Sequence, residues 1–418
     1  MKAAIIFTIT LLSLLSCPLF GQDLFEEEGF DLYGYLVNYS QAGLGIRESG
    51  LGNTLLLRLK GDWSPGPNLA FHTELSYRGS SGAQNPYVIA EKYGAGSIDQ
   101  GSYPFRDFTG EFSVDHLYGS VSVGGFDIGF GKLPIAWGTG YVFNPTARTH
   151  LPGVLDPVTE ETPGTIAVMP SVSFGYDLAL LFYLAFQEKT HKTSAAGADG
   201  EWQNLPYGIK LVAITGAWDL SVGFIKEVLY TGTDYRRSYY VGLDAAGAAG
   251  AVGLYGEAAI LLPRNEYDSA FDFSRHGVTD LFDACVGFDY TLPGIDLLLR
   301  GEYYHQGSGE KSREGYDIAK VLAGETAVLG EDYLFFNAER IFIDYLTVSL
   351  ATLVNLTDGS GVVMPLASYD LYDNFQVSGG LFLFWGEQGS EFYGEHDLGE
   401  GPFDLTDPTL FVRCKLSF

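Results

Sequence analysis

The sequence has little charge, few cysteines and no long apolar run beyond its first residues, and each shortage excludes a class of protein. Charged residues fill 18% of the 418 positions, below the roughly 25% of a soluble domain. Hydrophobic residues fill 46%, which excludes a disordered chain. Three cysteines in so long a chain cannot form a disulfide-rich scaffold. A helical membrane protein needs several apolar runs of about 20 residues, whereas the apolar run that looks helical lies at the N-terminus and is shorter than that.

Glycine and aromatic residues are abundant instead. The chain has 54 Gly, 27 Tyr and 29 Phe, with a formal net charge of −28. The glycines follow no three-residue period, so a collagen-like chain is excluded. A long chain that is rich in glycine and aromatic residues and lacks membrane helices is expected to be all-β.

The N-terminus has the pattern of an export signal. Lys2 supplies a positive charge, an apolar stretch follows over residues 3–15, and Gly21 is a small residue suited to cleavage. We expect residues 1–21 to be a signal peptide and residues 22–418 to form one domain. One alternative is a retained membrane anchor, for which the apolar stretch is short. The other is lipid attachment at Cys17, because residues 14–17 resemble a lipobox.

Apolar and polar residues alternate over stretches of about ten residues. In the stretch 68–78, the odd-numbered positions form an apolar face, whereas His72, Glu74 and Arg78 lie on the other face. A transmembrane β-strand needs about 9–11 residues, whereas soluble strands have a mode of about 5–6. The alternation therefore predicts strands with one face on lipid and one on a wet lumen.

Short turns and long connections also alternate along the chain, as in barrels with short periplasmic turns and long external loops. An even strand count leaves both termini on the periplasmic side. We predict an all-β fold, a transmembrane antiparallel up-and-down β-barrel of about 16–18 strands. The predicted strands are 30–40, 53–63, 67–78, 111–123, 125–133, 164–174, 175–187, 206–216, 218–229, 237–247, 250–262, 279–291, 294–306, 331–343, 344–356, 361–372, 373–386 and 407–418.

The last predicted strand ends in an aromatic residue. Its alternation resembles the signal by which the barrel-assembly machinery of Gram-negative-type bacteria recognises its substrates. The resemblance implies export to the outer membrane, with that machinery and outer-membrane lipids as partners. An ordinary edge strand that ends in Phe is the alternative. The residues of the signal are Leu410, Val412, Leu416 and Phe418.

A second resemblance lies near residues 131–146. The segment is similar to the G-[RK]-x-x-I-x-W-G…N-P segment of a broad group of porin-like outer-membrane proteins, where it leads from a strand into a long loop. The resemblance implies a porin-like protein and names no substrate. Thr146 stands where the group often has Asp. The strand phase places Lys132 on the lipid side, unless a bulge shifts it. The matching residues are Gly131, Lys132, Ile135, Trp137, Gly138, Asn144 and Pro145.

Two predictions remain open for the loop 134–163. If the loop folds into the lumen, as the third loop of general porins does, its charges face those of the neighbouring strands and form a constriction. Otherwise it is an external loop with solvated charges. The residues of this candidate constriction are Arg58, Lys60, Glu74, Arg148, Asp156, Glu160 and Glu161.

Acidic residues crowd the last long loop. A negative mouth raises the local concentration of cations, so we predict a modest cation preference. The acids are Glu387, Glu391, Glu395, Asp397, Glu400, Asp404 and Asp407.

Sequence motifs of enzymes and of nucleic-acid binding were not found. The chain has no G-x-S-x-G elbow, no H-E-x-x-H and no P-loop, and its seven His are scattered without metal-ligand spacing. We therefore expect no catalytic, cofactor or metal site and no nucleic-acid partner.

Together these patterns predict an outer-membrane channel for passive diffusion of small hydrophilic solutes through a lumen lined by alternate polar residues. The alternative is a non-conducting, surface-exposed structural or adhesive barrel. A barrel enzyme or a transporter of hydrophobic compounds is the third reading. The solute is undetermined, and a homo-oligomer remains open.

Overall fold

Eighteen strands form one closed antiparallel sheet. Each strand pairs with its neighbour in the chain, and the last strand pairs with the first. The predicted antiparallel barrel is therefore confirmed, with eighteen strands. This computed structural model describes residues 29–44, 51–82, 108–150, 161–187, 189, 202–230, 235–264, 271–274, 277–317, 320–321, 325–397, 402–404 and 407–418.

Two short strands, β18 (Glu395–Asp397) and β19 (Pro402–Asp404), form a separate hairpin in the last long loop. Within the described residues, no helix is long and apolar enough to cross a membrane. The strands are β1 (Phe30–Gly43), β2 (Leu51–Gly66), β3 (Leu69–Gly82), β4 (Phe108–Val123), β5 (Phe126–Pro134), β6 (Gly164–Ser173), β7 (Leu178–Ala185), β8 (Tyr207–Thr215), β9 (Trp218–Tyr230), β10 (Tyr235–Ala249), β11 (Val252–Leu261), β12 (Phe282–Leu292), β13 (Leu297–Gln306), β14 (Asp332–Ile343), β15 (Leu346–Asn355), β16 (Gly361–Tyr372), β17 (Phe375–Trp385), β18 (Glu395–Asp397), β19 (Pro402–Asp404) and β20 (Thr409–Ser417). Among the described loops, short 3-10 turns occur at Trp202–Asn204, Thr279–Leu281 and Arg313–Gly315.

Every predicted barrel strand is present, and the differences lie at strand ends. β2 runs on to Gly66, because a register shift after Trp63 lets it continue past the predicted end. β7 is shorter than the predicted 175–187, since residues 174–177 form the turn that precedes it. The predicted signal peptide, residues 1–21, lies outside the described residues.

The outward face of the barrel carries a belt of exposed apolar side chains. Soluble monomers rarely expose such a continuous apolar surface, whereas membrane barrels present one to lipid. Odd and even positions alternate between this belt and the lumen, as the sequence predicts. Members of the belt include Leu32, Phe112, Leu117, Phe130, Ile166, Leu211, Val222, Leu254, Phe288, Leu334, Leu350, Leu410 and Val412.

The lumen face differs from the prediction along one side of the barrel. There β14–β17, β20, β1 and β2 each place at least one buried apolar side chain on the lumen face, where the alternation predicts polar ones. Phe143 and Phe392, from two of the loops, are buried against this apolar wall, so the wall packs like a protein core. Residues of the wall include Val37, Leu56, Phe335, Leu353, Val362, Phe382 and Phe411.

Candidate functional site

The chain after β5 turns into the barrel and crosses towards the opposite wall. We call residues 135–150 the inward loop. Its first residues pack on the lumen side of β7, where the Trp137 ring meets Tyr183 edge-on at 4.8 Å. Ile135 and Trp137 are both buried. The segment that resembles porin-like proteins therefore begins the inward loop, and its first apolar side chains are buried in a small apolar cluster.

Glu302 on β13 fixes the middle of the inward loop. Its carboxylate accepts the backbone N–H groups of Tyr141 at 2.6 Å and Phe143 at 2.8 Å, and that of Val142 at 3.1 Å. The Tyr255 hydroxyl donates to the same carboxylate at 2.9 Å. Glu302 is 1% exposed, and hydrogen bonds to a charged group are among the stronger ones. One side chain of β13 thus shapes the backbone of the loop. We call this side of the barrel, which carries β9–β13, the far wall.

Glu257 on β11 fixes the flanks of the same loop. It accepts the backbone N–H of Thr139 at 2.7 Å and that of Thr146 at 3.3 Å. The Thr146 hydroxyl donates to it at 3.4 Å. An Asp at position 146, which the porin-like group often has, would set two carboxylates against each other here. We call Glu257 and Glu302 the carboxylate anchors. The described part of the loop 134–163 therefore lies inside the barrel, whereas the constriction that the first of the two predictions adds to this position stays a prediction.

Gly138 allows this loop to approach its anchor. Its φ is +108°, and a Cβ there would lie 2.5 Å from Asn144 Oδ1 and 2.7 Å from Glu257 Oε2. Residues other than glycine rarely adopt this backbone conformation. The second glycine of the motif, Gly131, has a φ of +121° and backs onto the Leu117 carbonyl.

Lys132 points outward, as the strand phase predicts. Its Nζ donates to the Val114 carbonyl on β4 at 2.6 Å. A bulge is present nearby, but it lies in β4, where Glu74 pairs with His116 and Leu75 pairs with Val114. β5 itself keeps its register with both neighbours. Of the remaining motif residues, Pro145 is buried and Asn144 is half-buried.

Arg148 ends the inward loop on the far wall. Its guanidinium forms an ion pair with Asp283 on β12 and lies over the Tyr240 ring at 4.1 Å. It borders a cavity of about 320 Å³ between the inward loop, the β9–β13 wall and the loop before β14. Charges of both signs line this cavity, including Lys189 and Glu227, which pair at 2.8 Å.

The opposite wall, on β2–β4, carries a cluster of charges. The Arg58 guanidinium contacts Glu74 at 2.9 Å, Asp115 at 3.0 Å and Glu161 at 3.1 Å. Lys60 Nζ lies 2.8 Å from Glu161 and 3.4 Å from Glu74. The Arg58 and Glu74 side chains are each 6% exposed. Because the bases and acids alternate in space, the cluster is a network rather than a set of separate pairs.

Two histidines join this network. His72 Nε2 lies 3.0 Å and His116 Nδ1 lies 3.2 Å from the same Glu74 oxygen, Oε1. The β4 bulge makes this possible, since it adds one residue and turns both Asp115 and His116 towards the cluster. We call Asp62, Arg58, Lys60, His72, Glu74, Asp115, His116 and Glu161 the charged wall.

The candidate constriction residues do not form one site. Arg58, Lys60, Glu74 and Glu161 lie together in the charged wall. Arg148 lies apart, because the inward loop carries it across to Asp283. Asp156 and Glu160 lie outside the described residues.

Sequence reasoning missed several functional side chains. Glu257 and Glu302 sit at ordinary inward positions, and their partners are peptide groups more than 100 residues away. His72 shares a strand face with Glu74, which the alternation shows. Its approach to His116 depends on strand register and on the bulge. Within the part of the chain that the structure describes, His72, Glu74 and His116 are the one group of three potential metal ligands whose atoms all lie within 4.8 Å.

The last strand closes the barrel. Phe418 N–H donates to the Gly34 carbonyl at 3.0 Å, and Gly34 N–H donates to the Phe418 carbonyl at 2.8 Å. Leu410 and Val412 belong to the outward belt, and Phe418 is 42% exposed. Recognition of Leu410, Val412, Leu416 and Phe418 by an assembly machinery stays a prediction.

Comparison with known proteins shows a similarity in the overall path of the backbone and no similarity in sequence family. No protein-family model and no curated protein matches the chain. Among solved structures, a double mutant of the Rh. blastica porin is 12% identical, with a TM-score of 0.44, over 93% of this chain and 100% of that one. Salmonella typhi OmpF in complex with daunomycin is 11% identical, with a TM-score of 0.44, over 93% of this chain and 97% of that one. Because these TM-scores are low, the function proposed below rests on this chain's own residues.

Proposed function

We propose that the protein is an outer-membrane channel through which small hydrophilic solutes diffuse passively, with a modest preference for cations. The observation that carries this proposal is a closed barrel of eighteen strands with an apolar belt outside and a charged wall inside. Barrels of 16–18 strands are wide enough to leave an aqueous path, whereas side chains alone fill barrels of about eight.

The inward loop supports a selective path rather than a plain hole. It is held inside the barrel by backbone hydrogen bonds to the carboxylate anchors, and a loop in that place reduces the free cross-section of the lumen. Rings of charge at a narrow point select ions by sign. The net charge of −28 favours cations at the mouth.

One acid of the last loop departs from the simple picture of a charged mouth. Glu391 is 5% exposed and accepts the backbone N–H of Leu329 at 2.8 Å. It therefore fastens one loop to another instead of facing solutes. Glu387, in contrast, is exposed and pairs with Arg313.

The non-conducting barrel remains the second candidate, and one observation favours it. Phe143 stacks on Tyr304 at 4.3 Å and, with Phe392, is buried against the apolar wall. Loops that pack in this way fill part of the lumen. A barrel filled completely would serve as a structural or adhesive protein of the cell surface.

Single-channel recording separates the two candidates. The protein, purified from outer membranes in detergent, is inserted into a planar bilayer under a KCl gradient. We expect discrete conductance steps and a reversal potential of the sign set by K⁺. Steps with Cl⁻ selectivity would refute the cation preference, and a folded barrel without steps would refute the channel.

A further inference from the structure

His116 presents an unprotonated ring nitrogen to Glu74 when its ring is neutral. Its Nε2 lies 2.9 Å from the Thr162 carbonyl oxygen. Because a carbonyl oxygen only accepts hydrogen bonds, Nε2 carries the hydrogen. The neutral ring then has its lone pair on Nδ1, which lies 3.2 Å from Glu74 Oε1. Two acceptors facing each other at this distance need a cation or a proton between them.

His72 repeats the arrangement from the other side. Its Nδ1 lies 2.6 Å from Asp62 Oδ1, and this contact is a hydrogen bond when the neutral ring carries its hydrogen on Nδ1. The lone pair of Nε2 then faces Glu74 Oε1 at 3.0 Å. Each histidine therefore has its second nitrogen held by an acceptor, a carboxylate for His72 and a carbonyl for His116. Metal-binding histidines are oriented in this way.

The distances suit a small metal ion. Ligands about 2.0–2.1 Å from a tetrahedral zinc lie roughly 3.3 Å from one another. The two nitrogen–oxygen distances are 3.0 and 3.2 Å, and all three ligand atoms lie within 4.8 Å of one another. Imidazole with one carboxylate favours borderline transition-metal ions over Mg²⁺ or Ca²⁺.

The surrounding charges leave room for two positive charges. Within the charged wall as the structure describes it, and with both rings neutral, the four carboxylates of Asp62, Glu74, Asp115 and Glu161 stand against two bases, Arg58 and Lys60. A divalent ion would neutralise this excess. Lys60 reaches Glu74 Oε1 only at 3.4 Å, and its shorter contact is with Glu161 at 2.8 Å, so it can yield that oxygen to a metal.

We propose that His72 Nε2, His116 Nδ1 and Glu74 Oε1 form a binding site for a divalent transition-metal ion of the Zn²⁺ type on the lumen wall. Asp62 and the Thr162 carbonyl orient the two rings. The test of this site is independent of whether the barrel conducts, because metal binding is measured on the detergent-solubilised protein.

Calorimetric titration with ZnCl₂ tests the site. The protein carries no affinity tag, is stripped of metal with EDTA and is titrated near neutral pH. We expect one Zn²⁺ per chain, and no competition from an excess of Mg²⁺. Co²⁺ as a probe should give the strong visible absorption of a tetrahedral site. Absence of a one-to-one binding event would overturn the proposal.

Substitutions locate the site on the chain. His72→Gln and His116→Gln should each weaken Zn²⁺ binding at least about 100-fold, and Asp62→Asn about tenfold, as for lost orienting partners. The matched control is His305→Gln. His305 also lies beside a carboxylate and a carbonyl, since its Nδ1 contacts Asp332 and its Nε2 contacts the Thr279 carbonyl oxygen. Unlike His72 and His116, it does not share a carboxylate oxygen with a second histidine in the part of the chain that the structure describes.

His305→Gln should leave Zn²⁺ binding unchanged. Binding that survives in both His72→Gln and His116→Gln would overturn the proposal. Retention of the barrel in each variant is checked by its heat-dependent shift in gel mobility. Should His116→Gln fail this check, His72→Gln decides, since His72 is less buried.

Discussion

The carboxylate anchors and the charged wall use the same chemical group in opposite ways. On the far wall, Glu257 and Glu302 accept hydrogen bonds mainly from backbone N–H groups of the inward loop. In the charged wall, Glu74 and Glu161 contact the side chains of Arg58 and Lys60. Backbone donors are present in any loop sequence, whereas the bases of the charged wall are particular side chains.

This difference separates shape from charge within one lumen. An acid bound to peptide groups fixes the path of the loop. Because these hydrogen bonds are buried, dissolved ions have little effect on their strength. An acid bound to basic side chains sets the local charge, which salt and metal ions can alter. We therefore expect substitutions at the anchors to change stability and loop order, and substitutions in the charged wall to change ion selectivity.

Removing Glu302 should give the largest effect. Glu302→Ala leaves three backbone N–H groups without their acceptor, at about 1–3 kcal/mol each if they stay buried. We expect the amides of residues 141–143 to lose protection in hydrogen–deuterium exchange, and the free energy of unfolding to fall by roughly 3 kcal/mol. Asp289→Asn, on the lumen face of the neighbouring strand β12, is the control. Unchanged protection at residues 141–143 would show that Glu302 does not hold the loop.

Gly138→Ala should disturb the same anchor from the loop side. The positive φ and the contact with Asn144 and Glu257 should cost roughly 2 kcal/mol. The measurement is the temperature at which the barrel loses its compact gel mobility. Gly129→Ala is the matched control, because a Cβ there meets Leu133 at 3.5 Å, an ordinary contact. Equal shifts in both variants would contradict a special role for Gly138.

Much of the fold follows from the sequence, because a barrel strand has a simple period. The alternation in 68–78 places His72 and Glu74 on the lumen face, and the phase of β5 places Lys132 outside. The apolar wall escapes this reasoning. Positions such as Leu56 and Phe335 are apolar on the lumen face because loops pack on them, and the alternation does not show where loops fold.

The candidate site is less predictable for the same physical reason. Glu302 and the peptide groups it binds are about 160 residues apart, and an acid on a strand face gives no sign of its partner. The β4 bulge that brings His116 to Glu74 depends on pairing register rather than on residue type. Contacts between distant segments need the three-dimensional arrangement.

A third buried acid extends the comparison outside the strands. Burial raises the pKa of Glu391 to about 7 from its usual 4.5. The folded state then binds more protons than the unfolded state between these values, so the loop contact weakens as pH rises from 4.5 to 7. We expect the Leu329 amide, which donates to Glu391, to lose protection by roughly 50- to 100-fold from pH 5 to pH 8, after correction for intrinsic exchange. Glu391→Gln should remove this pH dependence, and a persisting dependence would assign it elsewhere.

Glu161→Gln should give the smallest effect and tests the charged wall alone. It removes one negative charge from beside Arg58 and Lys60 while both keep Glu74 as a partner. We expect the permeability ratio of K⁺ to Cl⁻ to fall about twofold in dilute KCl, and less at 1 M, where screening acts within about 3 Å. Glu387→Gln, an exposed acid of the last loop that pairs with Arg313, is the control. A larger change in the control than in Glu161→Gln would place selectivity at the mouth rather than at the wall, because both variants remove the same charge at different depths.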